Sequence, residues 1–126
     1  MIYETEIING KEFHRVCKSE ELEEESKKLI EFEDDYDAQM VILRHRGKLN
    51  CVSNICPHMK ETKMYKGRLK DGTITCPAHG WRFKLDGGLN LNKKIGTKDL
   101  PCYEIVEKDG YIYVEKPDIP TPKWML

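Results

Sequence analysis

Two short stretches pair a thiol with an imidazole: Cys56-Pro57-His58 and Cys76-Pro77-Ala78-His79-Gly80. Seventeen residues separate His58 from Cys76. Pro bends the first stretch and Pro and Gly the second, and each follows a strand-like run. Two loops facing one another at one end of a β-domain would bring two sulfur and two nitrogen ligands together. Two metal chemistries accept such a set. A tetrahedral zinc site takes two Cys and two His. A two-iron, two-sulfide cluster takes two thiolates on one iron and two imidazoles on the other. Zinc fingers usually pair Cys with Cys and His with His. Here each pair is mixed, so each loop can reach both metals of a two-iron rhomb. A structural Cys2His2 zinc domain stays as the alternative.

The elements that must position these ligands read as short strands. Residues 13–17, 40–45, 48–53, 73–75, 81–85, 103–107 and 111–115 are apolar or β-branched runs. Gly47, Asp71-Gly72, Asp86-Gly87-Gly88 and Asp109-Gly110 supply turns between them. Ser19 is placed to cap a short helical turn over residues 20–25, although like charges crowd that turn. Many short strands with Gly turns predict an all-β sandwich or barrel. Pro117, Pro120 and Pro122 predict an extended tail over residues 117–126.

The whole chain bounds what those loops can serve. Its 126 residues are the size of one domain, expected over residues 1–126. Lys plus Arg is 21 and Asp plus Glu is 22, so bulk charge gives no reason to expect nucleic acid. No apolar run approaches the ~20 residues of a membrane span. The start, Met1-Ile2-Tyr3-Glu4, shows no secretory pattern, and a cytoplasmic location is expected. Five cysteines, an odd number, argue against a disulfide framework. Cys17, Cys51 and Cys102 are expected to pack rather than react. The charge is unevenly spread. Residues 20–37 hold ten acids against two lysines, a balance of −8. Residues 59–99 hold ten bases against four acids, a balance of +6. Two solvated faces would explain this.

The two boxes resemble the cluster-binding boxes of Rieske proteins. Gly67, the run Asp71-Gly72-Thr73-Ile74-Thr75 and the run from Trp81 to Gly88 are similar to family features as well, and the likeness covers roughly residues 11–115. It implies a Rieske-type antiparallel β-sandwich or small barrel with a cluster-binding subdomain of hairpin loops, about residues 54–84. It implies one Rieske [2Fe–2S] cluster per chain, with Cys56 and Cys76 on the inner iron and His58 and His79 on the outer, near solvent. Respiratory and photosynthetic Rieske proteins carry an extra Cys in each box; Glu61 and Ala78 stand at the matching positions. Those proteins also place a Ser and a Tyr after the second box, where this chain has Trp81 and Phe83. Without those hydroxyls, hydrogen bonding to cluster sulfur falls and the potential is expected toward the low end of the roughly −150 to +300 mV Rieske span. The segment 59–64 is bulkier and more charged than the ferredoxin pattern.

The resemblance to the low-potential, oxygenase-associated branch implies a ferredoxin. It would pass single electrons from a flavin-dependent reductase to an oxygenase-like acceptor, as a monomer that is not itself an enzyme. An electron-transfer subunit of a multi-chain oxidoreductase is the second reading. An oxygenase iron needs two His and a carboxylate, and only His14 and His45 remain, both read as ordinary strand residues. No Gly-rich dinucleotide loop is present. Lys60, Lys63, Arg82, Lys84, Lys93 and Lys94 follow or flank the boxes, and a basic rim steering an acidic partner is expected.

Overall fold

Four two-residue turns fold the chain back on itself: Asn9-Gly10, Arg46-Gly47, Asp71-Gly72 and Asp109-Gly110 have positive φ at both positions. That geometry carries the twist that paired strands need. The computed structural model describes residues 3–32, 35–57, 62–77, 80–92 and 98–115, with the backbone alone at 35–38. Among them run β1 (Glu4–Ile8), β2 (Lys11–Lys18), β3 (Lys27–Phe32), β4 (Asp35–His45), β5 (Lys48–Ser53), β6 (Arg68–Lys70), β7 (Thr73–Thr75), β8 (Arg82–Lys84), β9 (Cys102–Tyr103), β10 (Ile105–Lys108) and β11 (Tyr111–Glu115). Two 3-10 turns, Ser19–Glu21 and Met64–Lys66, interrupt them. The all-β expectation holds. The tail 117–126 lies outside the described residues.

Three antiparallel sheets result, in the orders β1-β2-β11-β10, β3-β4-β5-β9 and β6-β7-β8. The second sheet lies in the middle. Its Met40, Ile42 and Cys51 join Val16, Ile112 and Val114 of the first sheet in one buried cluster. Its Val41, Leu43 and Val52 join Ile74 and Phe83 of the third sheet in another. Alternate residues of a strand face opposite sides. Both sides of β4 are covered, so Met40, Val41, Ile42 and Leu43 are all fully buried. That is why the run reads as continuously apolar instead of alternating.

Two expectations need correction. The segment 103–107 is not one hairpin arm. It divides at Glu104: Cys102 and Tyr103 pair with Val52 and Cys51, whereas residues 105–108 pair with β11. Ser19 is not a cap either. It is the first residue of a three-residue turn with no capping side-chain bond, and the Glu21 carboxylate accepts the Lys18 N–H at 2.9 Å.

Candidate metal centre

Cys56 and Cys76 share one buried apolar cluster between the middle sheet and the three-stranded sheet. Cys56 follows β5 and Cys76 follows β7. His58 and His79 lie outside the described residues, as do Glu61 and Ala78. The described part of the site is therefore its sulfur half. Cys17, Cys51, Cys56, Cys76 and Cys102 form no disulfide with one another.

The first loop is closed at its base by Asn54. This side chain is fully buried. Its Nδ2 donates to Gln39 Oε1 at 2.9 Å and to the Thr62 carbonyl at 3.1 Å, and its Oδ1 accepts the Tyr65 N–H at 2.8 Å. Its own carbonyl accepts the Met64 N–H at 3.2 Å. One residue thus ties the entry to the Cys56 loop to the chain that leaves it.

The second loop is tight. Cys76 N–H donates to the Trp81 carbonyl at 2.8 Å, and Gly80 N–H donates to the Cys76 carbonyl at 2.9 Å. Gly80 sits at φ +71°, which a side chain would disfavour. The β6–β7 turn that leads into this loop is held from the middle sheet by His45. Gly72 N–H donates to His45 Nε2 at 2.9 Å, so the imidazole proton lies on Nδ1 and is donated to Glu25 Oε2 at 2.6 Å. Both ring nitrogens of His45 are engaged. His14, half-buried on β2, meets the Tyr3 ring edge-on and the Phe32 ring at a tilt.

Phe83 is fully buried in the cluster that holds the two thiols, and Trp81 packs against the same cluster with its ring 6.4 Å from that of Phe83. The positions that lack hydroxyls therefore face the site. Burial pushes the Cys51 thiol well above 9.0 and also raises Cys17, so both stay protonated, as packing residues would. Cys102 differs from the expectation: it is exposed on β9. Of the bases expected to form a rim, Arg82 and Lys84 are exposed on β8, while Lys60, Lys93 and Lys94 lie outside the described residues. The acidic and basic segments meet at one place. Glu25 lines one cleft together with Lys66, Arg68 and Lys70.

Asn54 and His45 are the positioning residues that sequence patterns did not disclose. Two buried cysteines in one cluster, on loops fastened at their bases, fit the sulfur half of a mixed Cys/His cluster site.

The chain matches the Rieske [2Fe-2S] domain family over residues 12–104. It is 33% identical over 89 residues to chlorophyllide a oxygenase of Oryza sativa subsp. japonica, covering 64% of this chain and 15% of that protein. It is 33% identical over 55 residues to the ferredoxin component of the alkene monooxygenase system of Xanthobacter autotrophicus, covering 43% of this chain and 44% of the relative. Its fold is similar to a chain in the complex of reduced oxygenase and oxidized ferredoxin in carbazole 1,9a-dioxygenase, with a TM-score of 0.72 at 21% identity, over 84% of this chain and 97% of that one. The chain thus spans only a small part of the plant oxygenase and under half of the bacterial ferredoxin component.

Proposed function

The chain belongs to the Rieske [2Fe–2S] domain family, whose cofactor is a [2Fe–2S] cluster, and from that premise we propose that it is a one-electron carrier of an oxygenase system. Cys56 and Cys76 hold one iron and His58 and His79 the other. The observation that carries this reading is the pair of buried Cys side chains in one cluster, one after β5 and one after β7, inside the family match. When bound, the cluster supplies a single reversible one-electron step. The protein's own residues hold the bases of the loops and bury the sulfur ligands away from water.

A flavin-dependent reductase donates and an oxygenase-type protein accepts. The ferredoxin component of the alkene monooxygenase system and the oxygenase–ferredoxin complex of carbazole 1,9a-dioxygenase support that placement. The chain works as a monomer in the cytoplasm, where Cys17, Cys51 and Cys102 stay reduced. It does not activate oxygen itself. His45 has both nitrogens committed to Glu25 and Gly72, which leaves it no lone pair for an oxygenase iron. The zinc alternative is not retained, because the family's group is the cluster. One observation favours the second reading, a domain or subunit of a larger oxidoreductase: the match to 15% of chlorophyllide a oxygenase.

Purified protein is expected to be red-brown, with about two irons and about two acid-labile sulfides per chain. Its midpoint should fall toward the lower end of the roughly −150 to +300 mV Rieske span, given Trp81 and Phe83. His79→Cys should shift the visible spectrum and lower the midpoint. Absence of labile sulfide would defeat the carrier reading, and a midpoint near the upper end would defeat the low-potential assignment. A monomer that takes electrons from a flavin-dependent reductase favours the first reading over the second.

A further inference from the structure

Strand register builds a charged face beside the second box. Arg68, Thr75 and Arg82 sit opposite one another across β6, β7 and β8, as do Lys70, Thr73 and Lys84. Neighbours in register share a side of the sheet, and so do positions two apart. The intervening row, Leu69, Ile74 and Phe83, packs inward on the cluster that contains the two thiols. Arg68, Lys70, Arg82 and Lys84 are all exposed on the outer face. None of the four makes an ion pair with another described residue. The acid at the β6–β7 turn, Asp71, is engaged by Arg46 at 3.1 Å.

Like charges gathered on so small a sheet repel one another and cost stability. Three of these bases, joined by Lys66, line a cleft of about 490 Å3. Cys76, Pro77 and Gly80 form part of the same wall. The cations therefore surround the loop that carries a candidate ligand, and guanidinium forks suit carboxylates.

We propose that this cleft is the docking site for a carboxylate cluster on an acidic redox-partner protein, seated so that the electron leaves beside the second box. The inference rests on the electron-carrier reading. It places the recognition charges on Arg68, Lys70 and Arg82 of the three-stranded sheet, with Lys66 from the Met64–Lys66 turn beside them. Charged side chains on an edge strand also discourage strand pairing between molecules, and the experiment separates the two roles.

The holoprotein is reduced with dithionite and oxidised under stopped flow by tris(oxalato)cobaltate(III), a trianion whose outer surface is carboxylate oxygen. One electron passes from the reduced protein to Co(III), which becomes Co(II). Tris(phenanthroline)cobalt(III), a trication, is the opposite-charge control. The trianion rate should fall about tenfold between about 10 mM and about 200 mM salt. The double variant Arg68→Glu/Lys70→Glu should slow the trianion at least about fivefold at low salt and accelerate the trication. Arg68→Gln/Lys70→Gln, which keeps a polar edge, should slow the trianion by an intermediate factor. The charge-matched variant Lys18→Glu/Lys28→Glu, on β2 and β3, should have a clearly smaller effect. Equal slowing by the two Glu double variants, or a trianion rate flat with salt, would overturn the docking site while leaving the carrier reading intact. A colourless protein would overturn the carrier reading first, and this inference with it.

Discussion

Asn54 has no redox chemistry, yet it decides where Cys56 stands. Its amide makes three hydrogen bonds in a fully buried position. Removing it takes from the Tyr65 N–H and the Thr62 carbonyl a part-buried partner and leaves the Gln39 side chain without its bond to Asn54. Each buried group left unpaired costs about 1–3 kcal/mol. Asn54→Ala is therefore expected to lower stability by about 2–4 kcal/mol and to reduce cluster content on purification. Chemical unfolding and iron analysis measure the two effects; a variant with wild-type values of both would show that the loop holds itself. The ligand thiols and Asn54 differ in how they can be read. Cys56 and Cys76 are legible in the chain because scarce residue types recur beside His at short spacing. Asn54 and His45 are common residues whose partners lie 8 to 27 residues away. Nothing local marks them, and only the folded chain brings the partners in.

The same distinction holds for the elements. β5, β7 and β11 match the residues expected from their apolar patterns and Gly turns. β1 went unread although Asn9-Gly10, a strong two-residue turn signal, follows it directly. β3 carries Lys27, Lys28 and Glu31 among its six residues and β6 has charges at both ends of three, too little pattern to separate a strand from a loop. The break at Glu104 was illegible for another reason: the strand's two halves obey different sheets, and the alternation continues across the change. Element packing also explains Gly67, which sits at φ −64° and needs no special conformation. Its constraint is space. A Cβ there would lie 2.8 Å from the Thr75 carbonyl oxygen and 2.9 Å from both Ile74 Cγ1 and the Met64 oxygen. The Met64–Lys66 turn is thus pressed onto the end of β7, one residue before Cys76. Gly67→Ala should force backbone apart at that point, costing about 1–3 kcal/mol. It should alter the visible spectrum more than an equally destabilising change in the β1–β2 hairpin. Identical spectra at matched stability loss would separate Gly67 from the site.

At the scale of the molecule, the middle sheet is a shared wall. Its Val41–Leu43–Val52 side backs the candidate cluster, and its Met40–Ile42–Cys51 side closes the core against the first sheet. Cys51 lies on the side away from the boxes, with its thiol 3.6 Å from Met40 Sδ. Burial pushes this thiol well above its ordinary 9.0. In the unfolded chain the same thiol ionises near the ordinary value, so the sign of the linkage follows. Below that value both states hold the proton and stability is independent of pH at this site. Above it the unfolded state has lost the proton while the folded state keeps it, and stability falls as pH rises. One such group tilts the unfolding free energy by at most about 1.4 kcal/mol per pH unit. Cys51→Val keeps an apolar side chain of similar size and removes the titration. Between about pH 8 and about pH 10 its guanidinium midpoint should decline less steeply than that of the wild-type protein. All other titrating groups are common to both proteins and cancel in the difference. Parallel alkaline declines would mean that the Cys51 thiol already reaches solvent in the folded protein, and the two-sided burial of the middle sheet would not hold at that strand.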